Sequence, residues 1–540
     1  MNIKARRPIA FAHYPLLLVG GLSAIILSGH LLLPLNIDNN IYQSMALEWV
    51  KYGRLPYLGS WDQNFPGIIP IHALGILLFG NSDLGFQLIS WILSTASATM
   101  LYMVTRKFQG EGVSILTAIM YALYYTQRSI YVSGQRDVFV VFFLLVSILV
   151  LLSGFEGSWR TWVIAIAGLS AGYAVFIRPT YALAFLVLAA FVFHKTKRPA
   201  AIVWFCVAGI IPFVVFIIPY FAHPGAYIGL YDAMIRFNLD VYSAYPTSLY
   251  TIRVALLNPW YIWLTALAGV FLWRHRENNS VAHSGKERVL WNYYFLILAS
   301  LFLSTVVMRK FLSYQMFVFY AFLVPLSVYA VVELYRVLRR AAASYGLPRA
   351  VLPGAAFILL AVLSVKIMSL DPIVPFFRAL RHGSTASFAL DTAEAAYTRW
   401  QGPVSPPLDI MGEKKVVRYL QSRVPPDSAV ECCTVWPGLI WRLARPTATR
   451  FTTLYPVCLP NTEGTFTSYQ VRWQKEYMDS LRTVRPRYIV LVSAKKIDML
   501  FLRTTPINLV HFIPGFSDFL ARNYTMDTVI DWYVLYRRVR

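Results

Sequence analysis

The stretch YPLLLVGGLSAIILSGHLLLPL, residues 14–35, contains no Asp, Glu, Lys or Arg and is closely followed by a carboxylate, Asp38. An apolar run of about 17–25 residues is long enough to cross a bilayer as a helix. Lys4, Arg6 and Arg7 precede it, as in a signal peptide, but the run is too long for one and no small-residue cleavage site follows. The sequence therefore predicts a retained first membrane span, with Asp38 where the chain leaves the membrane.

Similar apolar runs recur through the first two thirds of the chain. The 540 residues are 57% hydrophobic and only 14% charged, with a mean hydropathy of +0.53, which leaves too little polar surface for a soluble protein of this length. The sequence predicts a polytopic α-helical membrane protein whose transmembrane domain occupies 1–369. The predicted spans, about eleven by length and apolarity, are 14–33, 84–105, 113–132, 138–154, 161–177, 179–194, 200–221, 256–273, 289–307, 314–334 and 350–369.

The net charge of +23 suggests nucleic acid at first sight, but its distribution indicates a membrane. One set of loops carries roughly twice the Lys and Arg of the other, and the positive-inside rule assigns such loops to the cytoplasm. The basic loops are 1–7, 106–112, 194–199, 273–288 and 335–349. We therefore predict a plasma-membrane protein with a cytoplasmic N-terminus and no nucleic-acid partner. The remaining loops, beginning with 34–83, share the outer face.

From about residue 370 the composition becomes that of a soluble domain, which an odd number of spans places outside the cell. Helix and strand patterns alternate, so we expect a three-layer α/β domain, 370–540, with a parallel-rich sheet. The domain contains neither GxGxxG nor GxxxxGK[ST], and it is assigned no nucleotide. A disulfide is plausible there between Cys458 and either Cys432 or Cys433. The predicted helices are 412–424, 465–484 and 516–524, and the predicted strands are 428–435, 486–494 and 531–539.

Ionisable residues gather at one edge of the predicted membrane region. They are Asp38, Asp62, Arg136, Asp137, Arg178, Arg309 and Lys310, and each falls in an outer-face loop. Charges at mid-membrane cost at least about 2.5–3.5 kcal/mol, and transporters place such groups near the midplane. The arrangement instead indicates a reaction site that opens at one leaflet.

Each of these residues also has a plainer interpretation. Asp38 precedes a predicted helix, where Asp is a favoured N-cap. Arg136 and Asp137 can form an ordinary interfacial ion pair, and Arg178 can extend its charged end to the membrane surface. His72 lies on an apolar helical stretch, where a hydrogen-bonded structural role is common. No single residue among these identifies a function.

The order of several short motifs is more specific than any one of them. After Asp38 the sequence has GRLPY (53–57) and then WDQNFPG (61–67). Farther on it has GQRD (134–137), FIRPT (176–180) and RKFLSYQ (309–315). This order resembles that of GT-C glycosyltransferases, multi-span enzymes that move a sugar from a polyprenyl-phosphate carrier. Lipid A aminoarabinose transferases and protein O-mannosyltransferases are examples, and the resemblance covers essentially the whole chain.

The resemblance implies an inverting sugar transfer to a lipid, glycan or protein acceptor at the outer face, among membrane lipids. Asp38 would be the general base, because the attacking hydroxyl must lose a proton. The leaving phosphate would need cations, with Tyr314 as a further hydrogen-bond donor. The implied phosphate-binding cations are Arg136, Arg178 and Lys310. A secondary acceptor or cation site would include Asp62, Asp137 and His72; no cofactor is certain, and a divalent cation is possible.

This chain departs from the pattern of that superfamily at three positions. Asn39 stands where relatives have Glu, Asn64 stands in place of a Lys thought to approach the donor phosphate, and Phe65 replaces a Pro. The other cations would then have to bind the donor phosphate. Two further classes remain open. A transporter or lipid-linked-sugar flippase would need a polar path through the spans, and a non-catalytic scaffold would not account for the motifs together.

Overall fold

The computed structural model describes the chain in segments. They are residues 14–126, 132–155, 160–245, 247–257, 260–279, 285–344, 410–434, 437–493, 497–499, 502–504 and 510–539. The helices before residue 345 are α1 (Tyr14–Leu27), α2 (Ile37–Tyr52), α3 (Ile69–Phe79), α4 (Asp83–Thr105), α5 (Glu111–Thr126), α6 (Arg136–Phe155), α7 (Thr161–Ile177), α8 (Ala182–Thr196), α9 (Pro199–Ile217), α10 (Ala226–Tyr231), α11 (Leu249–Leu257), α12 (Trp260–Asn279), α13 (Gly285–Met308) and α14 (Ser313–Ser344).

The later elements alternate between helix and strand. They are α15 (Ile410–Gln421), β1 (Val430–Cys433), α16 (Gly438–Leu443), α17 (Tyr455–Cys458), α18 (Ser468–Val484), β2 (Tyr488–Val492), β3 (Ile497–Met499), β4 (Leu502–Thr504), α19 (Phe516–Asn523), β5 (Tyr524–Ile530) and β6 (Tyr533–Arg538). The described residues form two compact units. The first contains 14–33, 89–213 and 247–344; the second contains 34–88, 214–246 and 410–539. The predicted boundary at 369/370 lies outside the described residues.

Seven helices among the described residues are long and apolar enough to cross a membrane, and an eighth candidate is a pair of helical segments bent by 48°. The chain is therefore a multi-pass membrane protein. The seven are Tyr14–Leu32, Asp83–Thr105, Arg136–Gly154, Pro179–Thr196, Pro199–Ala222, Arg288–Met308 and Tyr314–Arg340, and the bent pair is Thr251–Leu257 with Ile262–Leu272.

Three of the predicted eleven spans are short in the structure or lie at least partly outside the described residues. The span predicted at 113–132 corresponds to helix Glu111–Thr126, and residues 127–131 lie outside the described residues. The one predicted at 161–177 has those bounds but only 17 residues, because Pro179 starts a separate 3₁₀ turn. The last predicted span, 350–369, lies outside the described residues.

Small residues allow two helices of the first unit to approach closely. Gly168 and Gly172 lie one turn apart on α7 and face Gly209 on α9. A Cβ atom at Gly172 would lie 2.1 Å from the carbonyl oxygen of Gly209, and one at Gly168 would lie 2.2 Å from that of Phe205. Such small-xxx-small spacing is the usual way for membrane helices to gain van der Waals contact.

The second unit contains the predicted helices at 39–52 and 68–80, which correspond to α2 and α3. Gly53 ends α2 in the left-handed conformation, φ +66°, as a C-terminal cap. The later part of the unit is a four-stranded sheet in the order β1-β2-β6-β5. Helices cover both faces: Cys432 belongs to the core beneath α15 and α16, whereas the Cys433 sulfur lies 3.2 Å from the hydroxyl of Tyr477 on α18. The predicted three layers are present.

Two details of this domain correct the sequence analysis. The sheet is not parallel-rich: β1 and β2 are parallel, but the β2–β6 and β5–β6 pairs are antiparallel. The reason is that β5 and β6 form a hairpin over the turn at Asp531, whose φ is +50°. The predicted disulfide is also wrong, since Cys432, Cys433 and Cys458 are buried free thiols.

Candidate functional site

In the first unit a buried carboxylate organises one group of predicted site residues. Asp137 is the second residue of α6. The Arg178 Nη1 atom lies 2.7 Å from its Oδ1 and 2.6 Å from its Oδ2, and the Tyr181 hydroxyl donates to Oδ1 at 2.8 Å. The guanidinium of Arg178 also lies 5.7 Å from the ring centre of Tyr314. The structure thus brings together three predicted residues and adds Tyr181.

The local sequence explains why Arg178 reaches this position. Pro179 disfavours helical geometry in the residue before it. Arg178 is accordingly extended, with φ −152° and ψ +110°, between the end of α7 and the 3₁₀ turn Pro179–Tyr181. The interruption turns the Arg178 side chain out of the helix direction and toward the start of α6.

Hydrogen bonds and a ring contact hold the GQRD segment in place, and they come from residues that the sequence analysis did not identify. Gly134 has a φ of +64°, which suits glycine, and its N–H donates to the Tyr125 hydroxyl at 3.0 Å. Ser133 lies 2.8 Å from the His30 Nδ1 atom, and the His30 ring stacks on Tyr125 at 4.4 Å. These contacts fix the turn that begins α6 and, with it, Arg136.

Lys310 lies in a tight loop between α13 and α14. Both of its neighbours, Arg309 (φ +57°) and Phe311 (φ +48°), have left-handed backbone conformations. Non-glycine residues there cost of order 1–3 kcal/mol and are concentrated at functional sites. The Thr247 hydroxyl secures the loop by donating to the Arg309 carbonyl at 2.8 Å. Lys310 is only 5% exposed, and this burial lowers the pKa of its ammonium group.

The first unit therefore presents three buried cations and one buried carboxylate at a single end of its helices. Arg136 begins α6, Arg178 precedes α8, and Lys310 lies between α13 and α14. Arg136 acts electrostatically on Arg178, as does the Tyr314 hydroxyl. Together with Asp137, these named groups carry two net positive charges. Such a group is suited to binding an anion at a membrane surface.

The second unit contains Asp38, and the structure rules out its interpretation as an N-cap. The N-cap of α2 is Asn36, whose side-chain oxygen accepts a hydrogen bond from the N–H of Asn39 at 2.9 Å. Asp38 is the second helical residue and half-buried. The carboxylate acts electrostatically on the buried Tyr455.

Residues of the same unit hold the beginning of α2 in place. Asn40 accepts a hydrogen bond from the Trp441 indole at 2.7 Å, and its amide donates to the Leu35 carbonyl. Arg442 forms ion pairs with both Asp83, at 2.9 Å, and Glu413. The position of Asp38 therefore depends on residues more than 400 positions later in the chain.

The WDQNF stretch is an ordered loop of the second unit. Trp61 is fully buried between the rings of Phe237 and Trp473, at 5.1 and 5.6 Å. Asp62 is buried, and the Asn64 amide donates to it at 3.1 Å. Asn64, the position where relatives have a lysine, is therefore engaged within its own loop.

Three residues distant in sequence anchor this loop. Arg450 donates to the Tyr57 carbonyl at 2.8 Å and pairs with Glu476. Thr452 donates to the Trp61 carbonyl at 3.0 Å. Asn238 lies on one of two consecutive π-helical turns, 232–236 and 238–242, and donates to the Gln63 carbonyl at 2.6 Å. Sequence analysis missed all three, because no local pattern relates them to the loop.

His72, predicted for a secondary acceptor or cation site, lies deep in the packing between α2 and α3. Its Nδ1 atom is 2.8 Å from the side-chain oxygen of Gln43, and its ring stacks on Phe86 at 3.7 Å. Burial lowers the pKa of His72 well below its ordinary value, so the ring is neutral. Among the residues that the structure describes, no group of three or more His, Cys, Asp or Glu side chains could hold a metal ion.

Comparisons with known proteins agree on the fold. Residues 66–222 match the family model described as dolichyl-phosphate-mannose-protein mannosyltransferase. The structure is similar to ArnT from Cupriavidus metallidurans bound to undecaprenyl phosphate, with 11% identity, a TM-score of 0.56 and 99% coverage of both chains. The apo form of ArnT gives 13% identity, a TM-score of 0.54 and 98% coverage of both chains.

A second kind of protein is also similar. The Archaeoglobus fulgidus oligosaccharyltransferase tethered to an acceptor peptide gives 12% identity and a TM-score of 0.51, over 98% of this chain and 74% of that one. No curated protein sequence matches the chain. At such low identity these likenesses establish the fold alone, which the chain shares with ArnT and with the oligosaccharyltransferase.

Proposed function

We propose that the protein is a glycosyltransferase that moves a sugar from a polyprenyl-phosphate carrier to a lipid, glycan or protein acceptor at the outer face of the membrane. The GT-C fold over the full chain supports the reaction class. Undecaprenyl phosphate is bound by ArnT, and the oligosaccharyltransferase holds an acceptor peptide. The family match at 66–222 concerns enzymes named for a dolichyl-phosphate sugar donor.

One observation carries the proposal: the cationic cluster at a single end of an apolar helical unit. Burying charge at a membrane is costly, so chains retain such groups where they bind something. Arg136, Arg178 and Lys310 are buried at that end, with the Asp137 carboxylate holding Arg178. A polyprenyl phosphate supplies the complementary anion, and its tail stays in the apolar phase. The cations would stabilise the charge that develops on the leaving phosphate.

The reaction would proceed by direct displacement. The acceptor hydroxyl attacks the anomeric carbon and forms the new glycosidic bond while its proton passes to the Asp38 carboxylate. The bond to the carrier phosphate breaks, and its electron pair stays on the phosphate oxygen, which Arg136, Arg178 and Lys310 balance. A single displacement inverts the anomeric centre. Asp38, a half-buried carboxylate in the first turn of α2, would serve as that base.

Each part of the chain outside the spans would lie on a defined side of the membrane. The basic loops would lie in the cytoplasm, and the domain formed by 370–540 would lie outside, where it would cover the site or select the acceptor. Asp62 and Asp137 would act indirectly, Asp62 by shaping its loop and Asp137 by orienting Arg178.

The test is donor binding by the purified full-length protein. Arg136→Ala and Lys310→Ala should each weaken binding of undecaprenyl phosphate by roughly tenfold or more, since each removes a charge-assisted contact worth about 1.5–3 kcal/mol. Lys475→Ala, an exposed cation on α18, is the matched control and should leave binding unchanged. Equal affinity in all four proteins would remove the cluster from the donor site. Donor binding without sugar transfer to any acceptor class would favour a flippase.

A further inference from the structure

A partly open apolar cavity lies in the first unit, away from the predicted site residues. Its walls are almost entirely apolar and come from α4, α6, α8 and α13, together with the residues just after α4. The lining residues are Val104, Phe108, Ile148, Leu151, Leu152, Leu188, Phe191, Leu290, Tyr293, Tyr294 and Ile297.

This cavity is distinct from the cationic cluster. Arg136 begins α6, whereas Leu152 lies 16 residues later, which corresponds to about 24 Å along a helix. On α8 the lining residues Leu188 and Phe191 lie 10 and 13 positions after Arg178, and Phe191 is five residues before the helix end at Thr196. The cavity therefore lies toward the opposite end of these helices.

Basic residues lie close in sequence to several lining residues, and we call this set of cations the rim. Two ring contacts join the same chain segments to one another. Phe108, preceded directly by Arg106 and Lys107, packs against Trp291 at 5.0 Å. Arg288 is exposed and lies one helical turn before Trp291. His194 lies 5.8 Å from the lining residue Tyr293, at the start of the basic run 194–198. The cations on this rim are Arg106, Lys107, Lys195, Lys197, Arg198 and Arg288.

The rim is strongly positive. Among the described residues of 104–111, 188–198 and 288–297, the only carboxylate is Glu111, 3.7 Å from Arg106. The rim cations themselves lie in the loops 106–112, 194–199 and 273–288, which the positive-inside rule assigns to the cytoplasm. A basic rim over an apolar pocket between membrane helices has the chemistry that holds anionic lipid headgroups on that side.

We propose that this cavity binds an anionic phospholipid of the cytoplasmic leaflet. One acyl chain would occupy the apolar cavity between α4, α6, α8 and α13, and the phosphate would lie among the rim cations. The charge of the rim selects this occupant. A bare hydrocarbon, such as the far end of a polyprenyl tail, gains nothing from six cations, and a zwitterionic headgroup gains much less than an anionic one. The site does not depend on the proposed transferase activity.

Native mass spectrometry of the delipidated full-length protein tests the site, with phosphatidylglycerol and phosphatidylcholine of identical acyl chains as probes. Phosphatidylglycerol should bind at least about tenfold more tightly. Lys107→Ala/Arg288→Ala should weaken phosphatidylglycerol binding by roughly 30-fold, since each cation near a membrane surface contributes about 1 kcal/mol. Lys475→Ala/Arg482→Ala removes the same charge from the exposed surface of α18 and should change nothing.

A second variant tests the chain pocket itself. Leu188→Trp places a larger ring into the cavity and should reduce binding of both phospholipids while leaving the rim charges intact. Equal retention of the two phospholipids by the wild-type protein would overturn the proposal. So would full phosphatidylglycerol binding by Lys107→Ala/Arg288→Ala, or displacement of phosphatidylglycerol by an equimolar uncharged polyprenol. If Leu188→Trp does not fold, the rim variants still decide the question.

Discussion

The two units hold their candidate site residues in different ways. In the first unit Arg178 is fixed by a buried ion pair with Asp137, so charge provides both the position and the proposed function. In the second unit the start of the Asp38 helix is held by groups other than Asp38 itself: Asn36 as N-cap, the Trp441 indole on Asn40, and the ion pairs of Arg442. Removing one partner of a buried ion pair is strongly destabilising, whereas replacing the half-buried Asp38 by Asn keeps the size of the side chain.

This contrast predicts that substitutions in the two units affect different properties of the protein. Substitutions around Asp137 should affect folding and donor binding together. Substitution of Asp38 should affect the chemistry alone.

The largest expected effect is on turnover in Asp38→Asn. The variant should lose about 10²- to 10⁴-fold in sugar transfer, because the amide cannot accept the proton of the attacking hydroxyl. Thermal unfolding and undecaprenyl phosphate binding should remain close to wild type. Asn36→Ala is the control, since it removes the true helix cap at a cost of about 1 kcal/mol and leaves the carboxylate in place. Normal turnover by Asp38→Asn would exclude Asp38 as the base.

Next in size is the loss of stability in Asp137→Ala. The substitution leaves Arg178 buried without its ion-pair partner, and removal of one partner of a buried pair costs about 3–5 kcal/mol. The double variant Asp137→Ala/Arg178→Ala should recover part of that loss while still binding donor poorly. A measurement of thermal unfolding for the two single variants and the double variant gives the coupling. Additive losses would indicate that the pair does not stabilise the first unit.

A third prediction concerns pH and the second unit. Burial raises the pKa of Glu431 to about 7, despite hydrogen bonds from the Thr449 N–H and hydroxyl. The unfolded carboxyl group ionises near its ordinary value, so the folded state loses relative stability as pH rises from about 4.5 to 7, by about 3 kcal/mol in total. The unfolding temperature should therefore fall as the pH is raised from 4.5 to 8.

The control for that slope is Glu431→Gln, which keeps the shape of the side chain but does not titrate. The pH dependence of unfolding should flatten in this variant. An unchanged slope would assign the titration to another group.

The smallest expected effect is at the loop that carries Lys310. Arg309→Gly should stabilise the protein by up to about 1 kcal/mol, because glycine accepts the left-handed backbone at φ +57° without penalty. Arg309→Ala removes the same charge but keeps the Cβ atom, so it should not be stabilised. The difference between the two unfolding temperatures measures the cost of the left-handed backbone conformation at residue 309. Equal temperatures would indicate that the loop is unstrained.

Much of the architecture followed from local pattern. The first span, the helices at 39–52 and 68–80, and three of the later strands depend on apolar runs and on periodicity, which are local properties. The predicted parallel-rich sheet was wrong because β6 runs antiparallel to both β2 and β5, and strand direction depends on chain topology rather than on a strand's own residues. The interpretation of Asp38 as a cap failed because Asn36, two residues earlier, takes that position.

The sequence by itself determined the membrane class, the charged edge and the residue types that suit phosphate and proton transfer, since hydropathy and charge are carried by each residue wherever it lies. Only the tertiary structure decided the partners. It paired Arg178 with Asp137 across 41 positions and joined Trp441 to Asn40 across 401. It also lined an apolar cavity with residues of four separate helices. Such contacts depend on how distant helices and strands pack, and short-range patterns carry no information about that packing.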